Sequence, residues 1–299
     1  MTGLTGSVGF PVAKRLAEAN EVWGLARYGN PGSRERVEAA GVHPVTADLS
    51  TGDFTGVPAD VDYVLHFAVV HAPDFDTALA TNAEGSGLLM AHCKSARAFL
   101  HCSTTGVYQP QGSHPFAETD PLGDNHRPAG LVTYSISKIA AEAVVRTTGK
   151  LLDVPVTIAR LNVPYGDTWG WPRMHLDWVA AGQDVYVHSD GPTVYNPVHE
   201  DDILAMIPKL LDVASVPATL VNWAGTETVS IEDWCNYMGQ MVGVEPRFVA
   251  TDATIPSVAV DVTRMRELIG EPAVGWKDGF RRLVESSYPD RVKASPSLG

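Results

Sequence analysis

Cysteine is scarce in this chain: three thiols, Cys93, Cys102 and Cys235, stand in 299 residues. They are too few and too scattered for a disulfide framework or a zinc cage, so the fold must rest on a packed apolar core. Positive charge is also in short supply, with 22 Lys and Arg against 35 Asp and Glu and a net charge of −13. No basic block occurs, which excludes a protein that tracks nucleic-acid phosphates through counterion release. Long apolar runs are missing as well. None approaches the ~18 residues of a membrane span, and the N-terminus has no basic stretch followed by an apolar core, so a cytoplasmic location is expected. Internal repeats and low-complexity tracts are absent. No metal centre is expected either. His199, Glu200, Asp201 and Asp202 are adjacent, but their spacing fits no zinc pattern, and the three carboxylates suit a helix N-terminus whose dipole they complement. The partner that survives these exclusions is a small molecule.

What the chain does have is enough apolar residue, 44% of its composition, to bury a full core. It opens on TGLTGSVG at 2–9, with Gly3, Gly6 and Gly9 spaced by three. Such glycines let a backbone turn tightly and let a pyrophosphate approach a helix N-terminus, so Gly3, Gly6, Ser7, Val8 and Gly9 are candidate cofactor-binding residues. A helix follows: Val8, Val12 and Leu16 recur every fourth residue, Lys14, Arg15 and Glu18 face away, and Pro11 falls in the first turn. Short apolar runs at 21–26, 61–68, 98–103 and 154–161 then alternate with helical patterns. That order predicts an α/β fold built on a doubly wound parallel sheet, with ligands beyond the carboxyl ends of the strands. Ser230 and Asp233 predict a capped helix from about 230, and a strand is expected near 219–225. The tail from Pro289 is expected to fray.

Two strings carry the chemistry. STTGVY at 103–108 and YSISK at 134–138 offer a hydroxyl, a phenol and an ammonium that can converge on a carbonyl group. On a helix, Lys138 lies one turn beyond Tyr134 on the same face. At about 4 Å and an effective dielectric of about 20, the attraction would be about 4 kcal/mol, or roughly 3 pK units, on a phenol that starts near 10. Lys138 is therefore expected to bring Tyr134 within reach of neutral pH as an acid.

These strings occur in order with ADL at 47–49, HFAVV at 66–70, NAEGSGLL at 82–89, RLNVPYG at 160–166 and NPVHEDDI at 196–203. Along nearly its whole length the chain resembles the extended short-chain dehydrogenase/reductases of the NAD-dependent epimerase/dehydratase superfamily. The resemblance implies a Rossmann-like domain at 1–166, with returning segments at about 192–225. A smaller C-terminal substrate lobe would be built from 167–191 and 226–299. It also implies a nicotinamide cofactor and a catalytic Thr104, Tyr134 and Lys138, with Ser103 and Thr105 as possible substitutes for the threonine. Lys138 would both lower the Tyr134 pKa and anchor the nicotinamide ribose. Asp48 and Leu49 would flank the adenine, and Ala68 the pyrophosphate–ribose edge. A homodimer through helices starting near Asn82 and Tyr134 is expected, the second carrying Ile139, Ala140, Ala143 and Val144 as an apolar stripe.

Several finer expectations follow. The glycine loop of such a fold should leave a buried strand of about 5–6 residues, yet only Met1 and Thr2 precede Gly3, which suggests a native chain with apolar residues upstream. Where an NAD-preferring relative places a carboxylate after the second strand, this chain has Arg27, with Arg34 as a possible second donor. A guanidinium suits a 2′-phosphate, so NADP(H) is expected over NAD(H), which stays possible. Relatives acting on nucleotide-sugars usually carry an Arg four residues before the His of the VH string, where this chain has Tyr195; Arg173 is a possible substitute. Trp169, Trp171, Met174 and Trp178 suit either an apolar substrate or the core of the lobe. His71, Asn82 and Asn162 complete the candidate substrate residues, with Asn82 as readily a support for the local backbone. The expected function is hydride transfer between NADP(H) and a carbonyl or alcohol of a small, non-nucleotide substrate. Alternatives are a nucleotide-sugar epimerase or dehydratase that keeps its cofactor bound, and a catalytically silent NADP-binding sensor.

Overall fold

The computed structural model describes residues 1–292. The glycine loop leads into α1 (Gly9–Ala17), whose Val12 and Ala13 are buried. Then come β1 (Trp23–Ala26), α2 (Ser33–Ala39), β2 (His43–Thr46) and β3 (Tyr63–His66). A helical run follows, made of α3 (Phe75–Leu79), a π-helical turn (Ala80–Glu84) and α4 (Gly85–His92). Next are β4 (Ala98–Thr104), α5 (Tyr134–Leu152), β5 (Val156–Leu161), β6 (Pro164–Tyr165), α6 (Trp171–Ala180), β7 (Asp184–His188), β8 (Val194–Tyr195) and β9 (Val198–His199). The chain continues through α7 (Glu200–Asp212), β10 (Thr219–Trp223), β11 (Val229–Ser230), α8 (Ile231–Val242), β12 (Arg247–Thr251), α9 (Thr263–Ile269) and α10 (Trp276–Ser287).

Strands β3, β4, β5 and β10 pair side by side, all parallel, and β1 pairs with β2 in the same sense. All six residues of β5 are buried, as expected of a strand covered on both faces. α5 lies against β4 and β5, and so does α7, while α1 packs on α7 and α4 on α5. The fold is thus the expected α/β fold with a parallel sheet and its helices.

Thr2 lies between the two groups of strands. It bridges Leu25 of β1 on one side and His66 of β3 on the other, both in parallel sense. Its N–H donates to Leu65 O at 3.0 Å, and Leu25 N–H donates to Met1 O at 2.8 Å. Two residues therefore hold the slot in which a full strand was expected, and they deliver Gly3 to the carboxyl end of the sheet. Thr2 is fixed further by its side chain, which is 2.7 Å from His66 Nδ1 and accepts from Ala68 N–H.

The second lobe is built on α6, α8 and α10, with β7 and β12 as a parallel pair. Its α8 starts as expected, with Ser230 Oγ accepting from Asp233 N–H at 2.9 Å. α9, which lies after the division expected at residue 226, packs on β10 and α7. Its Met265 is fully buried there, offering its sulfur to Ala224 N–H. One apolar cluster runs from Val12 and Leu100 of the large lobe to Trp234 and Phe280 of the small one, so the lobes share a core. Pro289–Arg291 form a short 3₁₀ turn rather than a frayed end, with Arg291 donating to Ala180 O; the rest of the tail lies outside the described residues. No helix among the described residues is long and apolar enough to cross a membrane.

Candidate active site

Two adjoining clefts open at the carboxyl ends of the strands. The first, of about 210 Å³, is lined by Gly3, Gly6, Arg27, Asp48, Leu49 and Ala68 among others. Gly3 has φ of +72°, and a Cβ there would stand 2.5 Å from the Phe67 carbonyl carbon, so the loop requires glycine at this point. A Cβ on Gly9 would collide with the Gly3 carbonyl oxygen. α1 has no side-chain cap; Phe10 N–H donates to Gly6 O and Pro11 has none, so Gly9 is the first-turn residue whose N–H can serve an anion. A close-approach loop, an uncapped nine-residue helix and a cleft reaching past Asp48 together fit a dinucleotide. Ser7 is exposed beside the loop, and Val8 lines the second cleft instead.

Arg27 and Arg34 differ in availability. Arg27 is exposed at the tip of β1, close enough to Asp48 to help hold its carboxyl below the usual range, after the larger pull of Ser50. Arg34 is engaged by its own neighbours, donating to Glu38, Thr46 Oγ1 and Pro44 O. Its guanidinium is thus held along α2 and β2, with the second N–H of each Nη left over.

The second cleft, of about 260 Å³, shares Phe67 and Val69 with the first and contains Thr104, Tyr134 and Lys138. Thr104 ends β4, and Tyr134 and Lys138 begin α5, so the sheet and one helix bring the three together. Among the neighbouring hydroxyls, Ser103 is buried and donates to Glu142 at 2.7 Å. Thr104 is the one close enough to the phenol to pull its pKa down.

The expected charge coupling is not what the structure contains. Burial, the dominant cause, pushes the Tyr134 phenol up to about 12, Thr104 pulls it down and the nearby Cys102 thiol adds to the rise. Lys138 is 3% exposed and donates to Cys102 O at 2.8 Å, with His101 Nε2 at 3.5 Å. Its own pKa is lowered, chiefly by burial. The spacing put Lys138 on the right face, but a backbone carbonyl of β4 captures its ammonium. The phenol is therefore a protonated group at neutral pH.

Tyr134 lies between two imidazoles. His71 stacks on it with ring centres 4.9 Å apart and an interplanar angle of 22°, and His126 lies against it at 4.8 Å and 53°. The position of His71 is set on both sides: Asn82 accepts from Val70 N–H and donates to Val70 O, and Thr133 donates to Ala72 O. Asn82 also donates to Ser137 Oγ, so its amide is fully occupied and supports the backbone rather than a substrate. The π-helical turn that carries it sets this geometry.

Two further substrate candidates must be withdrawn. Asn162 is completely buried, donating to Val258 O and accepting from Asn196 N–H, which ties the lobes together. Arg173 points to the far side of α6, donating to Asp177 and Ser287. Tyr195 does line the cleft, but its hydroxyl is engaged with Ile255 O and Pro256 O. Of the four candidates around α6, only Trp171 lines the cleft; Trp169 bonds Glu200, and Met174 is exposed. His126 was missed in the sequence, where a lone histidine in a Pro- and Gly-rich loop has no periodicity to mark it.

The cluster of Asp167, His199 and Glu200 brings ligand-type atoms within 4.8 Å of one another. Protein partners already occupy them. His199 Nε2 is 3.0 Å from Asp167, Arg282 donates to Asp167 and Asp201, and Trp169 Nε1 donates to Glu200. The set is an ion-pair and hydrogen-bond network at the start of α7.

A glycine-loop cleft joined to a hydroxyl–phenol–ammonium cleft defines a class of nucleotide-cofactor proteins built on a parallel α/β sheet. The sequence profile of the NAD dependent epimerase/dehydratase family matches residues 1–221, and the chain belongs to that family. It is similar to a probable UDP-glucuronate 4-epimerase of Rhizobium meliloti (strain 1021), at 23% identity over 95% of each chain. Among solved structures it resembles the UDP-glucuronic acid 4-epimerase from Bacillus cereus in complex with UDP-glucuronic acid and NAD. That likeness has a TM-score of 0.81 and 19% identity, and covers 95% of this chain and 97% of that one. It also resembles DesIV, a dTDP-glucose 4,6-dehydratase from Streptomyces venezuelae with NAD and TYD bound, with a TM-score of 0.80, 22% identity and coverage of 97% and 96%.

Proposed function

We propose that this protein is an NAD(P)-dependent oxidoreductase that exchanges a hydride with a carbonyl or alcohol of a small, non-nucleotide substrate. The observation that carries this is the meeting of Thr104, Tyr134 and Lys138 in one cleft that adjoins the glycine loop. A bound nicotinamide supplies or accepts the hydride. Tyr134 gives its proton to the substrate oxygen, and Thr104 donates a second hydrogen bond there. Lys138, the cation lining the cleft, would hold the cofactor ribose after leaving the Cys102 carbonyl.

The substrate class follows from charge. A diphosphate calls for arginine forks, and among the described residues no arginine lines the second cleft. The similarity to nucleotide-sugar epimerases and dehydratases favours a second reading, conversion of a UDP- or dTDP-sugar with the cofactor retained. Two assays separate them. Net NADPH or NADH oxidation with a panel of ketones is expected, whereas conversion of UDP-glucuronic acid without net cofactor consumption would replace the first reading with the second.

Arg27 supports NADP(H) over NAD(H), although the two solved structures named above hold NAD. Fluorescence titration is expected to give tighter binding of NADPH than of NADH, with Arg27→Ala weakening NADPH by about tenfold to a hundredfold and NADH little. Tighter NADH binding by the wild type would reject this choice. A cytoplasmic homodimer through α4 and α5 completes the proposal, supported by Leu88 and Ala143 exposed on those helices. Light scattering should give twice the chain mass, and a monomer would refute it.

A further inference from the structure

The second cleft is divided by where its polar groups come from. Ser103, Thr104, Thr105, His126, Tyr134 and Lys138 supply hydroxyls, an imidazole and an ammonium, all from the end of β4, the start of α5 and the residues between them. From residue 161 onward the lining is Leu161, Val163, Pro164, Trp171, Ile255 and Val258, with Tyr195 as the one residue bearing a hydroxyl. Among the described residues no Asp, Glu, Asn, Gln or Arg lines this cleft.

The Tyr195 hydroxyl is already spent. Tyr195 is 3% exposed, and its Oη lies 3.0 Å from Ile255 O and 2.9 Å from Pro256 O. The segment it holds is pinned further along: Val194 N–H donates to Ser257 Oγ, Val258 N–H to Val194 O, and the Asn162 amide to Val258 O. With those groups taken, Ile255 and Val258 have aliphatic side chains to offer the cleft. The same Tyr195 ring meets Trp171 edge-on, with centres 5.2 Å apart at 75°, and Trp171 meets the fully buried Trp234 at 72°. Tyr195 thus ties the Trp171 indole and the 255–258 segment into one apolar wall.

We infer that the substrate is a carbonyl compound, or the matching alcohol in reverse, whose body is apolar and about one ring in size, and that Tyr195 is the positioning residue for the wall receiving that body. This rests on the oxidoreductase function proposed above and names its substrate class. The carbonyl carbon takes the hydride with both its electrons, the C=O π bond opens onto oxygen, and the oxygen takes the Tyr134 proton, which solvent replaces. Size follows from volume: about 260 Å³ is less than the ~300–1,000 Å³ of ordinary ligand sites, and a nicotinamide would take part of it. Polarity follows from desolvation. A sugar ring carries a hydroxyl on most of its carbons, and each one facing Leu161, Val163, Ile255 or Val258 would give up water for no partner. An apolar ring gains by burial at the same place.

The test compares cyclohexyl methyl ketone, acetone and 1,3-dihydroxyacetone, with NADPH and with NADH. Wild type should favour the cyclohexyl ketone over both others by about tenfold to a hundredfold in kcat/KM. Ile255→Ala should lower kcat/KM about tenfold more for the cyclohexyl ketone than for acetone, and through KM. Tyr195→Phe keeps the ring against Trp171 but releases the two carbonyls, and should erode the same preference about threefold to tenfold. Circular dichroism of both variants checks that they fold. Equal losses on the cyclohexyl ketone and acetone would mean that these residues only hold the lobe together, and would overturn the inference while leaving the oxidoreductase function standing. A preference unchanged in both variants, or a wild type that does not favour the cyclohexyl ketone, would overturn it in the same way. Should wild type reduce none of the three with either cofactor, both proposals fall together.

Discussion

Tyr134→Phe is expected to lower turnover by roughly a hundredfold to ten-thousandfold, the range contributed by a positioned general acid, while leaving the fold intact. The substitution removes one oxygen and keeps the ring. Packing between His71 and His126 depends on the ring, whose stacking geometry phenylalanine preserves. Cofactor affinity should hold, because the glycine loop, Arg27 and Asp48 line the other cleft. The pH dependence has a definite sign. The folded phenol sits near 12 and an unfolded one near 10. Its stabilising contribution is therefore complete below pH 10 and is lost as pH rises toward 12. Wild type and variant should have matching melting temperatures at pH 7, and wild type should lose ground to the variant only in strong alkali. Steady-state kinetics at pH 7 decide the main point, and near-normal turnover would remove Tyr134 from the proposed chemistry.

The second large effect is on stability. Glu142 lies two turns after Tyr134 on the buried face of α5 and is fully buried. Arg160 of β5, 1% exposed, grips it with two bonds of 2.9 and 2.8 Å, and Ser103 of β4 donates to it at 2.7 Å. The guanidinium also donates to Glu118 O and lies over the Tyr108 ring at 4.8 Å. Glu142→Ala would leave this buried cation with one carbonyl acceptor, at a cost of about 3–5 kcal/mol, the usual penalty for breaking one side of a buried pair. Thermal unfolding should fall by on the order of 10 °C. The double variant Glu142→Leu with Arg160→Met should recover most of the loss, since removing both charges also removes both desolvation penalties. A single variant that melts with the wild type would show the pair to be dispensable. The same network clamps α5 to β4 and β5, which keeps Tyr134 level with Thr104.

How much was legible in the chain depended on distance along it. The four apolar runs became β1, β3, β4 and β5 because each needs only its own residues to be extended and buried. The cap at Ser230 formed where expected for the same local reason. Gly3 was legible because its positive φ and tight contact exclude other residues. By contrast, Asn82 and Asn162 are polar residues whose partners lie on segments 12 to 96 residues away, and nothing local tells a structural amide from a ligand-binding one. The bonds that Arg34 makes to its own helix and the neighbouring strand were likewise not visible in the local sequence.

By itself the sequence determined the alternation of strands and helices, the glycine loop, and the helical spacing that sets Tyr134, Lys138 and Glu142 on one face of α5, since these follow from backbone periodicity and local sterics. Only the tertiary structure decided that Lys138 turns to the Cys102 carbonyl, that the Tyr134 phenol is buried enough for its pKa to rise, and that His71 and His126 pack against its ring. Those outcomes depend on desolvation and on hydrogen-bond competition, which come from residues joined in space and far apart in the chain.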